Sequence, residues 1–111
     1  MEHQKLVRDR IPEIIAASGR RCETRVLNET AYRDALRDKL LEEAREVKEA
    51  SPTELATEIA DVLEVVDALL EAHGLDINQV KQLQGARRRE RGGFTQRLQL
   101  LRVEDASPDQ P

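Results

Sequence analysis

Apolar residues recur at three- and four-residue spacings through most of the chain, the pattern of helices that bury one stripe and leave the rest to water. The first such stretch is short. Ile11, Ile14 and Ile15 form a stripe, Asp9 is placed to cap it, Pro12 is tolerated in its first turn, and Gly19 ends it. From 21 to 27 the residues alternate, with Cys22, Thr24 and Val26 set against Glu23 and Arg25, which permits an extended segment. A long helix then opens near residues 28–30 and runs to Ala50, with Leu36, Leu40, Ala44 and Val47 spaced for one buried stripe. Ser51, Pro52, Thr53 and Glu54 offer an N-cap, a proline at the first helical position and an acidic residue that completes a capping box. The helix they start carries Leu55, Ile59, Val62, Leu63, Val66, Leu69 and Leu70, and Gly74 terminates it. Asp76 with Gln79 suggests another capped start, for a helix from Ile77 to Glu90 that stops at Gly92 and Gly93. In 94–103, Phe94, Leu98 and Leu101 fit a helix while Phe94, Leu98 and Leu100 fit an alternating strand.

The expected fold class is therefore all-α, one domain over residues 1–103 followed by a disordered tail at 104–111. Trp is absent and Tyr32 and Phe94 are the only aromatics, so core filling falls to Leu, Ile and Val. A core this thin favours self-association. Charged residues make up 36% of the chain and the net charge is −4, which gives no overall pull toward nucleic acid; any anionic partner must be met locally. Cys22 is the lone cysteine, excluding an intrachain disulfide and Cys-rich zinc sites, and a reducing, cytoplasmic setting is expected. The first ten residues are polar and charged, and no apolar run approaches the roughly 20 residues of a membrane span, so no membrane partner is expected.

Placing the acidic residues on a helical wheel separates them. With Leu40 as zero, Glu43 sits about 60° and Glu46 about 120° to the same side of the stripe, while Glu42 falls about 160° away. With Ile59 as zero on the next helix, Glu58 lies about 100° round, among Val65 and Leu69, and Asp61 about 160° round on the same side. If the two helices pack antiparallel, as the short connection at Ser51 favours, two carboxylates from each converge. Converging anions repel, and a divalent cation removes the conflict. An all-oxygen set suits a hard ion such as Mg²⁺ or Mn²⁺, and Mg²⁺ keeps open positions that phosphate oxygens fill, which points to phosphoryl chemistry. The plainer account is a solvated acidic face, with Glu42 and Glu46 paired to Lys39, Arg45 and Lys48 at helical spacings. It explains poorly a glutamate, Glu58, inside an apolar sector.

The run Glu42-Glu43-x-x-Glu46, followed after eleven residues by Glu58-x-x-Asp61, resembles the signature of the MazG-like all-α nucleoside triphosphate pyrophosphohydrolases. Lys5-Leu6-Val7-Arg8-Asp9-Arg10-Ile11-Pro12 and Arg91-Gly92-Gly93-Phe94 look like the flanking motifs of a small single-domain, phosphoribosyl-ATP pyrophosphohydrolase-like branch. The resemblance implies a helical bundle completed by pairing subunits into a homodimer or higher oligomer. It also implies Mg²⁺-dependent cleavage of the α–β phosphate bond of a nucleoside triphosphate, giving a monophosphate and pyrophosphate. The implied metal ligands and catalytic carboxylates are Glu43, Glu46, Glu58 and Asp61. Cations are needed for the remaining phosphate charge. Lys81, Arg88 and Arg91 on or just after the fourth helix are the candidates for substrate binding, Lys81 and Arg88 sharing a face, with Lys5 and Arg8 behind them. A solvated basic run at a helix C-terminus is the alternative for each arginine.

The remaining singletons carry less. His73 reads as a helix-end residue, His3 as part of a loose terminus, and Cys22 as a small buried apolar residue. No aromatic among the helix residues is placed to stack a base, leaving Phe94, Tyr32, aliphatic side chains or a second subunit for that task. A two-stranded sheet from the Thr24 and Leu98 regions is an added expectation. Three functions follow in order: a house-cleaning enzyme removing non-standard or surplus nucleotides, the phosphoribosyl-ATP enzyme of histidine biosynthesis, and a non-enzymatic helical oligomerisation module.

Overall fold

The computed structural model describes residues 4–106; His3 and the tail from residue 107 onward lie outside them. Four helices form in chain order: α1 (Ile11–Ala17), α2 (Glu29–Glu49), α3 (Leu55–Ala72) and α4 (Ile77–Arg91). The all-α expectation holds, and among the described residues there is no strand. The two-stranded element is thus not formed. Residues 20–28 run without regular structure and Val26 is fully exposed, so the alternating segment finds no ladder partner. Residues 94–103 are neither helix nor strand: Arg97 takes a positive φ of 57° and the apolar side chains of the stretch stand in solvent.

The helix ends show which local signals the backbone uses. Asn28 caps α2 as its side-chain type favours, its Oδ1 accepting from the Ala31 N–H at 2.9 Å. α3 ends on a Schellman motif, with Leu75 N–H donating to the Leu70 carbonyl at 2.9 Å and Gly74 N–H to that of Glu71 at 3.2 Å. Gly74 supplies the left-handed conformation the motif needs, with φ +64°. Two expected caps are not used. Arg10, not Asp9, precedes α1, and the turn is closed by Ile11 N–H donating to the Arg8 carbonyl at 3.0 Å. At Ser51 the hydroxyl pairs with Thr53 Oγ1 at 3.1 Å instead of a backbone N–H, so 51–54 close as a turn, Glu54 N–H to Ser51 carbonyl, and α3 begins at Leu55.

The chain divides into two compact units, Met1–Ile77 and Asn78–Pro111. Within the first, α2 and α3 pack on each other. They run antiparallel: Arg33, near the start of α2, donates from Nε to the carbonyl of Ala72 at the end of α3, 3.0 Å away. Among the described residues only Leu36 on α2 (2% exposed) and Val65 on α3 (7%) are fully buried apolar residues. The α3 face that meets α2 is therefore not centred on Ile59. It is centred about 100° away, where Glu58, Asp61, Val62, Val65 and Leu69 lie, all half-buried or buried. Ile59 and Leu63 remain 44% and 57% exposed. A helix apolar over more than half its circumference has two faces to cover, and α2 covers the one that carries the carboxylates. No helix among the described residues is long and apolar enough to cross a membrane.

Candidate metal centre

Because α2 and α3 are antiparallel, the second half of α2 lies beside the first half of α3. Glu43 projects from the packed face of α2, its side chain only 13% exposed. Glu58 and Asp61 are one helical turn apart on the opposing face and half-buried. One carboxylate oxygen each from Glu43, Glu58 and Asp61 lies within 4.8 Å of the others. On an octahedral Mg²⁺, with oxygens about 2.1 Å from the ion, neighbouring ligand oxygens stand about 3.0 Å apart, so a shift of roughly an ångström in each side chain would bring the three onto a common ion. The donor set is all oxygen, which fits a hard divalent cation.

The electrostatics of the cluster have the same origin. The Glu58 carboxyl is pushed above the ordinary 4.5 by loss of hydration and then by the negative charges of Glu46, Asp61, Glu43 and Glu54. Glu46 is exposed and supplies no oxygen to the group of three, yet it is the strongest charge acting on Glu58. Among the described residues it pairs with neither Arg45 nor Lys48, so the solvated-pair account does not describe it. Glu42 stands apart, as the wheel placed it. Partial burial works against its charge, but Lys39 and Lys5 outweigh that and hold its pKa below the ordinary value. Lys39 Nζ lies 3.3 Å from Glu42 and 3.5 Å from Glu43, and Lys5 Nζ lies 3.4 Å from Glu42.

The Lys39–Glu42 pair expected at helical spacing forms, and Lys39 also reaches Glu43, which was not expected. Arg8 donates from Nη2 to Asp61 Oδ1 at 2.7 Å across 53 positions of sequence, for which no local pattern exists. Cys22 was expected to be buried and is exposed, because nothing packs on the irregular segment that carries it. His73 is the helix-end residue expected, following the last residue of α3. Tyr32 is half-buried on α2 and Phe94 is exposed.

In the second unit, Lys81, Arg88 and Arg91 all stand exposed on α4. Lys81 lines a shallow depression with Asn78, Gln82, Gly85 and, two turns on, Arg89. Arg88 turns instead toward Gly93, its Nε 4.0 Å from where a Cβ there would sit.

Comparison with known proteins supplies the family. Residues 4–86 of the 111 match the phosphoribosyl-ATP pyrophosphohydrolase family. The chain belongs to that family. Phosphoribosyl-ATP pyrophosphohydrolase-like proteins are part of the MazG-like all-α superfamily, in keeping with the four helices found here. The family match takes in α1, α2, α3 and most of α4, and with them all four acidic candidates. A relative described as an uncharacterized protein, from Mycolicibacterium smegmatis (strain ATCC 700084 / mc(2)155), is 48% identical over 54 residues, covering 49% of this chain. The matched segment spans only 55% of that relative's length. No solved structure matches. The carboxylate group of Glu43, Glu58 and Asp61 thus lies within the segment that matches the phosphoribosyl-ATP pyrophosphohydrolase family.

Proposed function

We propose that the protein is a Mg²⁺-dependent nucleotide pyrophosphohydrolase, able to use Mn²⁺ in place of Mg²⁺, that cleaves the α–β phosphate bond of a non-standard or surplus nucleoside triphosphate. The observation that carries the reading is the approach of Glu43, Glu58 and Asp61 oxygens to within 4.8 Å of one another in a member of this family. Those three carboxylates would hold the ion. When bound, it polarises a phosphate oxygen and lowers the pKa of an attacking water. Glu46, one turn on from Glu43, is the fourth acidic group; in this reading it meets the ion, directly or through water, or accepts the proton of the attacking water. Water adds to phosphorus, the bridging oxygen leaves with pyrophosphate, and the monophosphate keeps the hydroxyl oxygen. Lys81, Arg88 and Arg91 serve as phosphate-binding cations in this reading.

The open face of α3, with Leu55, Ile59 and Leu63, is assigned to a second copy of the chain, since two fully buried apolar residues among the described ones make a thin core for a monomer. Light scattering that shows only monomer removes that assignment. A reducing, cytoplasmic setting suits the exposed thiol of Cys22.

The second reading, phosphoribosyl-ATP as substrate, is favoured by the description of the matched family itself. Incubation with a panel of triphosphates and with phosphoribosyl-ATP, in Mg²⁺, decides between them by the products. Pyrophosphate from a triphosphate supports the first reading. Turnover confined to phosphoribosyl-ATP establishes the second, and inorganic phosphate without pyrophosphate contradicts the bond assignment.

A further inference from the structure

The segment ahead of α1 delivers a guanidinium to one of the three converging carboxylates. Arg8 Nη2 donates to Asp61 Oδ1 at 2.7 Å, and this is the one hydrogen bond its side chain makes among the described residues. The side chain is 55% exposed, so most of its five N–H donors face water. Its backbone is pinned, because the Arg8 carbonyl accepts from Ile11 N–H at the start of α1, and Ile11 and Pro12 are half-buried. The side chain is thus free to swing from a fixed root. A single-contact, half-exposed ion pair is weak. It occupies an oxygen donor of a residue that, on the metal reading proposed above, a divalent cation would also need.

We propose that Arg8 is a phosphate-positioning residue that Asp61 holds in reserve. With no cation present it neutralises Asp61; a divalent ion held by Asp61 would leave the guanidinium free to pair with the substrate's phosphate oxygens. The planar fork of an arginine pairs two phosphate oxygens at once, which the same group cannot do while tied to Asp61. Metal binding and phosphate binding are thereby coupled through one side chain, and Arg8 opposes the first while assisting the second.

The inference rests on the metal reading, and a base-free probe separates the two. Calorimetry measures Mn²⁺ binding, then binding of methylenediphosphonate to the Mn²⁺-loaded protein, for wild type, Arg8→Gln and Arg8→Lys. In Arg8→Gln, Mn²⁺ is expected to bind roughly two- to fivefold more tightly, the value of an exposed ion pair. Methylenediphosphonate is expected to bind at least about tenfold more weakly, as a charge-assisted contact is lost. A merely structural role moves both affinities down together with the melting temperature. Arg8→Lys, which keeps the charge without the fork, is expected to fold normally and still bind the diphosphonate less tightly than wild type; equal binding overturns the proposal and serves as the test if Arg8→Gln does not fold. Wild-type protein that takes Mn²⁺ while Arg8→Gln alters neither affinity, or weakens both, overturns the role of Arg8 alone. Wild-type protein that takes no Mn²⁺ overturns the metal reading and this inference together.

Discussion

Replacing Glu43 with Gln tests the metal centre with the least disturbance to the fold. The side chain is 13% exposed and sits on the packed face of α2, so an isosteric substitution keeps the contacts with α3 while removing one charge. Without metal, two changes oppose each other. The ion pair with Lys39, at 3.5 Å, is lost, but Lys39 keeps Glu42 at 3.3 Å as a partner and is not left as an unpaired charge. The repulsion exerted on Glu43 by the other two carboxylates, all three offering oxygens within 4.8 Å, disappears at the same time. The metal-free melting temperature should consequently move little. Metal separates the two proteins. At a Mn²⁺ concentration about a hundredfold above its dissociation constant, binding to the native state alone stabilises by about 2.7 kcal/mol. For a domain of this size that is on the order of 10 to 20 °C in melting temperature. If loss of one of three ligands weakens binding about a hundredfold, the same Mn²⁺ concentration gives about 0.4 kcal/mol, a shift of a few degrees at most. Differential scanning fluorimetry with and without Mn²⁺ on both proteins reads the difference. Equal Mn²⁺ shifts in wild type and Glu43→Gln would refute the assignment of Glu43 to a metal site.

Three further outcomes follow from the same geometry. Because the folded state raises the Glu58 carboxyl, it binds that proton more tightly than the unfolded chain; the associated stability is present below pH 4.5 and lost as pH rises through the higher folded value. Glu42 acts in the opposite sense, its contribution present above 4.5 and lost as pH falls. Metal-free Glu58→Gln should therefore show a smaller decline in denaturation midpoint as pH rises from about that range toward neutrality, and an unchanged pH profile would contradict the crowding of charges described here. Leu36→Ala, at 2% exposure in the seam of α2 and α3, should cost about 2–5 kcal/mol by urea unfolding, and a loss under about 1 kcal/mol would mean that this seam is not the core. Gly74→Ala has open space around the new methyl group, so its cost should be only the left-handed backbone at φ +64°, about 1–2 kcal/mol; no loss of stability would show that α3 ends another way in solution.

Much of the fold and of the candidate site was legible in the residue pattern. The helical spacing of Leu36, Leu40, Ala44 and Val47, the capping side chain of Asn28 and the glycine after α3 mark elements that depend on a few consecutive residues, and the elements formed as read, although Ala44 stands exposed and not in the buried stripe. The expected caps at Asp9 and Ser51 did not, because a turn closed by backbone bonds competes with a side-chain cap and local sequence does not rank the two. The acidic set was legible for the same reason as the helices: Glu58 and Asp61 are one turn apart whatever surrounds them.

What the sequence by itself determined is the helical identity of the chain and the angular position of each carboxylate on its own helix, since both follow from 3.6-residue periodicity. Tertiary structure decided which side of α3 faces α2. The helix is apolar over two sides, and periodicity centres the stripe on Ile59 without knowing that the neighbour would cover the side bearing Glu58, Asp61 and Val65. That choice turned an apparently misplaced glutamate into a member of a shared cluster. It also decided that Arg8 would reach Asp61 across 53 positions, a contact no spacing rule contains because it exists only once two separated segments share a surface.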